Sequence, residues 1–113
     1  MADDDPGYKR RRYRRHPGLF DAWRIGVTRE PLRVTNLNLG GCLVLESSSR
    51  GFVETFHLQI DLGNEGLLEV SAMTLYHTDD ATAVTFINLN PQALGQIQRT
   101  LAASLKLQPP NPT

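Results

Sequence analysis

A basic cluster near the N terminus carries the clearest chemical signal in this sequence. Six of the seven residues from Lys9 to Arg15 are basic, five of them are arginines, and the seventh is Tyr13. A guanidinium group binds phosphate through two parallel hydrogen bonds and stacks on flat rings, which a lysine ammonium does not do. The cluster therefore predicts contacts with phosphate groups or nucleobases. A solvated basic tail is the alternative that the charge pattern leaves open.

A second candidate is the stretch Asn36-Leu-Asn-Leu-Gly-Gly41. In an extended chain the side chains of Asn36 and Asn38 point to the same side, and Gly40 with Gly41 permits a tight turn and a close backbone approach. Alone, the stretch is also typical of a plain hairpin connection. Together with the arginine cluster it could hold a guanine nucleotide. Arginine bonds guanine O6 and N7, and an amide oxygen accepts from guanine N–H groups.

Other site chemistry finds little support, so we expect a receptor and not an enzyme, with no metal and no cofactor. Cys42 begins an apolar segment and is expected in the core as a small apolar residue. Phe20 and Trp23 are also expected in the core. No carboxylate pair is placed for acid–base catalysis. None of the histidines has a partner at zinc-ligand spacing: they are His16, His57 and His77.

The composition indicates one small domain with an uneven charge distribution. The chain has 113 residues and a formal net charge of zero. Residues 1–18 hold six basic and three acidic residues, a net of +3, and the remainder holds six and nine, a net of −3. Its apolar runs are far shorter than the roughly 20 residues of a membrane helix. The N terminus lacks the apolar stretch of a secretion signal, so we expect a cytoplasmic protein without membrane insertion.

The body of the chain predicts an antiparallel β-barrel. Short strand-like segments are separated by turn sequences and not by helices, which favours a sheet that closes on itself. The clearest alternation of apolar and polar residues is at 56–62. Turns are expected at 30–32, 47–51, 63–66 and 78–82. The six predicted strands are 19–27, 33–37, 42–46, 56–62, 67–77 and 83–89.

The spacing of apolar residues changes from the two-residue period of a strand to a helical period only after the last strand, where a helix is expected. Asn90 can cap it and Pro91 suits its first position. Its apolar stripe is expected to pack on the barrel and consists of Leu94, Ile97, Leu101 and Leu105. We therefore divide the chain into a flexible basic arm (1–18), a barrel with a C-terminal helix (19–107) and a disordered tail (108–113).

With these two motifs and this pattern of strands and helix, the sequence resembles the PilZ domain family. The family pattern is RxxxR followed some 20–25 residues later by (D/N)xSxxG. Arg11 to Arg15 supplies the first motif, with His16-Pro17 after it, and Arg10 to Arg14 is a second frame that also fits. Asn36 and Gly41 supply the ends of the second motif, and Asn38 stands where the family has Ser. The resemblance covers about residues 9–105.

The resemblance implies a six-stranded antiparallel barrel that binds cyclic di-GMP, a bacterial second messenger. Arg11 and Arg15 would contact phosphates and guanine, Asn36 and Asn38 a guanine edge, and the Gly40-Gly41 pair would let the loop approach the ligand. Ligand binding would change the order of the arm and signal to a protein partner, with one or two ligand copies per site left open. Further contacts would come from Arg10, Arg12 and Arg14.

Two other functions stay open. The chain could be a ligand-free, PilZ-like protein-interaction module. It could also be a small barrel that binds nucleic acid through its basic arm. The net charge of −3 over residues 19–113 and the absence of a strand with several exposed aromatic residues make a nucleic-acid partner the weaker prediction.

Overall fold

The structure, a computed structural model, describes residues 16–45 and 55–107, with side chains up to Ser104 in the last helix. The strands form one closed antiparallel barrel in the order β1-β2-β3-β6-β5-β4, which confirms the predicted fold class. The arginines of the predicted motif, Arg10 to Arg15, and the predicted tail lie outside the described residues. The elements are β1 Phe20–Ile25, β2 Arg29–Asn38, β3 Gly41–Leu45, β4 Thr55–Asp61, a 3-10 turn Gly63–Glu65, β5 Leu67–His77, β6 Ala81–Ile87 and α1 Pro91–Leu107.

The barrel interior is filled by the apolar residues of each alternating strand. In β4, Phe56, Leu58 and Ile60 are buried while their sequence neighbours are partly or fully exposed, as the alternation predicts. Cys42 is a free, buried cysteine, and burial raises the pKa of its thiol to about 12. A thiol with that pKa is protonated and unreactive at neutral pH, so Cys42 is the core residue that the sequence indicates.

The helix closes one end of the barrel, packing against β5, β2 and the 3-10 turn. Asn90 caps it, since its Oδ1 accepts from the Ala93 N–H at 2.7 Å. The predicted stripe needs a correction, because Leu94 is exposed and the side chain of Leu105 lies outside the described part. The buried face is instead Ala93, Gln96, Ile97, Thr100 and Leu101.

The turn expected at 30–32 is wrong, because these residues lie inside β2. The turn between β1 and β2 is at 26–28, where the Gly26 N–H donates to the Thr28 carbonyl. Pro31 pairs with Trp23 of β1, and the pairing of β2 with β3 extends only from Arg33 onward. A proline is tolerated in a strand where a neighbouring strand is missing on one side, because a backbone donor is not needed there.

Trp23 is not a core residue, contrary to the expectation from its type. It is half-buried, and the Arg29 guanidinium carbon lies over its ring at 3.9 Å. The Nε of Arg29 also donates to Gln59 Oε1 at 3.1 Å, so the arginine is held in place across two strands. Phe20 is partly buried and packs against the core cluster. The aromatic residues of β1 thus divide between the core and a cation–π contact.

Candidate functional site

The candidate turn between β2 and β3 begins with an irregularity at Asn36. The register of β2 against β3 shifts between Thr35 and Asn38, and Asn36 has a φ of 56°. Asparagine tolerates this left-handed backbone better than most residues. The expectation that Asn36 and Asn38 point to the same side assumes a regular extended strand, and the bulge interrupts the strand at Asn36.

Asn38 organises the turn through its side chain. Its Oδ1 accepts from the backbone N–H groups of Gly40, at 2.7 Å, and of Gly41, at 3.1 Å. Its Nδ2 donates to the carbonyl oxygen of Asn36 at 2.9 Å. An asparagine side chain that bonds its own local backbone in this way stabilises a turn.

The far side of the turn is fixed to β6. The Gly40 carbonyl accepts from the Phe86 N–H at 2.9 Å and from Thr85 Oγ1 at 2.8 Å. A Cβ on Gly41 would overlap the Val84 carbonyl oxygen, so only glycine fits where β3 and β6 approach each other. The close backbone approach predicted for this glycine pair is therefore made at Gly41, to the neighbouring strand.

The residues that follow the arginine motif are attached beside this turn. The His16 N–H donates to the Leu37 carbonyl at 2.8 Å in an isolated antiparallel bridge. Thr35 Oγ1 donates to the carbonyls of Gly18, at 2.9 Å, and Pro17, at 3.2 Å. His16, the residue that follows the RxxxR motif in sequence, is therefore bonded to Leu37, which lies between the two asparagines in the chain.

The His16 side chain holds this attachment as well. Its Nδ1 accepts from the Gly18 N–H at 2.9 Å, and its ring meets the Phe20 ring edge-on with centroids 4.9 Å apart. Burial lowers the pKa of His16, because a partly desolvated imidazole favours its neutral form. The neutral ring is the form that can accept the Gly18 hydrogen bond.

The surface between these parts offers hydrogen-bonding groups to a ligand. Within the described residues the Asn36 amide makes no hydrogen bond, so both its oxygen and its nitrogen can bind a partner. Asn38 keeps one N–H, since the other and both lone pairs of its oxygen are used. These groups can accept from an N–H donor of a bound partner and donate to an acceptor.

Three residues that position the site were not singled out from the sequence. His16, Thr35 and Thr85 act through partners on other segments: His16 N with Leu37 O, Thr35 Oγ1 with Gly18 O, and Thr85 Oγ1 with Gly40 O, 45 residues away. No local pattern signals such long-range bonds. Only the position of Thr35 directly before Asn36 hints at a role.

Among the residues that the structure describes, the other polar groups form no second site of comparable order. Ser71 Oγ lies 3.4 Å from His57 Nδ1 on the exposed side of neighbouring strands, and His77 Nδ1 lies 2.9 Å from Thr82 Oγ1. Among residues 16–45 and 55–107 no cluster of three metal-ligating side chains occurs. Within the same ranges, no helix combines the length and hydropathy required to cross a bilayer.

Comparison with known proteins gives structural relatives only. No protein-family profile matches the chain, and no curated sequence does so either. Among solved structures, the Bacillus subtilis inhibitor of motility MotI/DgrA has a TM-score of 0.75 at 17% identity, over 88% of this chain and 54% of that one. The PilZ domain of Escherichia coli YcgR with c-di-GMP has a TM-score of 0.65 at 18% identity, over 86% of this chain and 92% of that one.

A second YcgR structure from Escherichia coli, in complex with c-di-GMP, has a TM-score of 0.66 at 20% identity and matches over 46% of its length. The chain therefore has a PilZ-like fold. It matches nearly all of the isolated YcgR domain but only about half of MotI/DgrA and of the longer YcgR chain.

Proposed function

We propose that this chain is a non-enzymatic receptor domain for cyclic di-GMP that acts in the bacterial cytoplasm. The observation that supports the proposal most is the hydrogen bond from the His16 N–H to the Leu37 carbonyl. It joins His16, the residue after the arginine motif in sequence, to the Asn36–Gly41 turn, which supports a site that both sequence features would share. Structural neighbours with c-di-GMP share the fold.

The roles follow from the chemistry of the ligand. Guanidinium groups of Arg11 and Arg15 would bind its phosphates and cover its bases, with additional contacts from Arg10, Arg12 and Arg14. The Asn36–Gly41 turn would read the guanine edge with the Asn36 amide and the remaining Asn38 N–H. Gly40 and Gly41 hold this turn in close contact with β6.

The attachment at His16–Gly18 makes the energetics of arm ordering reasonable. Ordering the five residues from Arg11 to Arg15 costs about 5–10 kcal/mol of backbone entropy. Three or four hydrogen bonds to charged groups would contribute about 5–12 kcal/mol. The two figures offset each other, so the net affinity would have to come from base stacking and from the Asn36–Gly41 turn, whereas ordering the whole arm would cost far more. We therefore expect the nucleotide to order this short stretch, and the altered surface to be read by a protein partner.

Calorimetric titration of the full chain with cyclic di-GMP tests the proposal. We expect saturable binding in the micromolar range, loss of binding for Arg11→Ala and Arg15→Ala, and weaker binding for Arg12→Ala. Arg99→Ala is the matched control, because this variant also removes one positive charge. Arg99 lies on the helix and pairs with Glu65 in the turn between β4 and β5. Stoichiometry from the same titration distinguishes one ligand copy from two.

Three results would contradict the proposal. No heat at tens of micromolar ligand in low salt would favour the ligand-free interaction module. An equal loss for all four variants would indicate bulk charge and not a motif. Steeply salt-dependent, sequence-independent binding to oligonucleotides in place of the dinucleotide would favour the nucleic-acid-binding barrel.

A further inference from the structure

We propose that Asn38 is a positioning residue, which holds the turn so that Asn36 presents its amide to the ligand and His16 keeps its bond to Leu37. This inference rests on the proposed function and departs from the sequence expectation that Asn38 binds a guanine edge directly. It assigns the recognition of the base chiefly to Asn36 and gives Asn38 a role inside the protein.

The hydrogen-bonding capacity of Asn38 is mostly used within the turn. A carboxamide offers two acceptor sites and two donors. The structure occupies both acceptor sites with the Gly40 and Gly41 N–H groups and one donor with the Asn36 carbonyl. A ligand that took more than the one remaining N–H would have to break a bond that shapes the turn.

The same three bonds connect a rigid part of the barrel to the irregular residue. Gly40 is fixed to β6 by two hydrogen bonds to its carbonyl, and Gly41 packs directly on the β6 backbone. Asn36, with its φ of 56°, is on the other side of Asn38. Asn38 is thus the link through which the position of β6 fixes the backbone of Asn36.

Leu37 connects the Asn36–Asn38 backbone to the attachment of His16. Its carbonyl, the acceptor for the His16 N–H, lies between Asn36 and Asn38 in the chain. A change in the Asn36–Asn38 backbone would move this carbonyl and with it the attachment of His16. Asn38 therefore bears on both sides of the proposed site without needing to touch the ligand.

An asparagine performs this role with two atoms where a serine has one. Its oxygen serves the glycine N–H groups while its nitrogen serves the Asn36 carbonyl, and the two functions do not compete. A serine hydroxyl can also donate and accept, but its single oxygen cannot occupy the positions of both Oδ1 and Nδ2. We expect Asn38→Ser to retain the glycine bonds in part and therefore to retain binding in part.

The test combines the free protein with the titrated protein, in the full chain. For wild type, Asn38→Ala, Asn38→Ser and Thr85→Val, the Gly40 and Gly41 amide resonances and their hydrogen exchange are recorded first. Each variant is then titrated with cyclic di-GMP. We expect Asn38→Ala to shift both resonances, to speed their exchange and to weaken binding about tenfold, which corresponds to losing one or two net hydrogen bonds. Asn38→Ser is expected to recover part of both effects.

Thr85→Val provides a variant remote from the ligand. It removes the side-chain bond to the Gly40 carbonyl and leaves the Phe86 bond, so it should loosen the turn and weaken binding by a smaller factor. It also carries the test if Asn38→Ala fails to fold, and Asn36→Gly is the contrasting direct contact, because glycine removes the amide and still adopts the φ of 56°. That variant should weaken binding while the free-protein Gly40 and Gly41 resonances stay close to wild type.

Two outcomes would overturn the inference. In the first, Asn38→Ala weakens binding although the glycine amides of the free protein are unchanged, which would make Asn38 a direct contact. In the second, the amides change and the affinity does not. Failure of the wild-type chain to bind the dinucleotide is a third, separate result. It would refute the proposed function, and the resonances would still report whether Asn38 holds the turn.

Discussion

The two hairpin connections at residues 38–41 and 62–66 both contain asparagine or aspartate near glycine, yet their glycines serve different physical purposes. Gly41 is required because β6 leaves no room for a Cβ. Gly63 and Gly66 have φ values of 72° and 81°, and open space surrounds them. The first turn depends on close approach and the second on backbone conformation, although the sequence signals look alike.

The two turns are also attached to different parts of the molecule. The 38–41 turn is bonded to strand β6 of the barrel wall. The 62–66 turn is bonded to the helix, because Gln96 Nε2 donates to the Glu65 carbonyl at 2.9 Å and to the Leu67 carbonyl at 3.1 Å. A ligand site built on the first turn therefore inherits the rigidity of the sheet, while the second turn joins the barrel to its helical cap.

The largest effect that separates the turns is expected from Gly41→Ala. The added methyl would overlap the Val84 carbonyl and force β3 away from β6, so we expect a loss of about 3 kcal/mol in the free energy of unfolding. Gly63→Ala should lose only about 1 kcal/mol, from backbone strain alone. Urea unfolding of both variants measures the difference. Equal losses would show that close approach is not what the first glycine provides.

The loss in the free energy of unfolding for Gly66→Ala is expected to lie between those for Gly41→Ala and Gly63→Ala. Its φ of 81° and ψ of −160° lie in a region that is almost restricted to glycine, so the alanine variant should lose about 2 kcal/mol. The same urea experiment measures it. Asn64→Ala, at an exposed residue of the same turn, is the control and should leave the midpoint nearly unchanged. A neutral Gly66→Ala would mean that the turn readily adopts another conformation.

The hydrogen bond from the Gly18 N–H to His16, beside the first turn, is expected to weaken at acid pH. No corresponding change is expected at the second turn. The pKa of His16 is lowered from its ordinary value of 6.5 by burial, so the unfolded state binds the proton more readily. The stabilising contribution is therefore complete above about pH 6.5 and is lost as the pH falls through the lowered value. Protonation removes the acceptor of the Gly18 N–H.

The Gly18 amide should accordingly exchange faster with solvent at acid pH, relative to its intrinsic rate, in an NMR titration. The Gly66 amide, which bonds the Gly63 carbonyl in the other turn, should show no such change over the same range. His16→Ala should abolish the pH dependence at Gly18. Undiminished Gly18 protection in acid would show that the ring nitrogen does not hold the attachment.

The smallest loss in the free energy of unfolding is expected from Arg99→Ala, which removes the ion pair between the helix and Glu65 of the second turn. Arg99 Nε lies 2.8 Å from Glu65 Oε1, but the arginine side chain is 61% exposed. Exposed ion pairs contribute little because water and salt screen them, so a loss of about 0.5 kcal/mol or less is expected in urea unfolding. The effect should shrink further in high salt. A loss that is large and independent of salt would mean that the arginine stem packs on the turn.

The fold could be predicted largely because its determinants are local. The alternation at Phe56–Ile60 specifies a strand with one buried face, and Asn90-Pro91 specifies a helix start. The errors have a common origin in tertiary structure. Within the described residues Pro31 lies in a strand where it pairs with β1 only, and Trp23 faces away from the core because its neighbour Ala22 is the buried residue of β1.

The turn that carries the candidate residues was predictable from the sequence, but its geometry was not. Asn36, Asn38 and Gly41 do form one turn, and the spacing alone indicated this. The bulge that rotates Asn36 depends on bonds to β6 and to the His16 segment, which no pattern within six residues encodes. The sequence therefore indicates which residues a site could use, while the sheet determines where each amide points.

Closure of the barrel restricts how another protein can recognise this domain. Each described strand has a neighbour on both sides in the closed order, so a partner cannot extend the sheet by adding its own strand. Within the described residues the first part of β2 pairs with β1 alone, and its Pro31 lacks one of the donors that such an addition would use. The protein partner proposed above would therefore bind side chains on the barrel surface and not the edge of a strand.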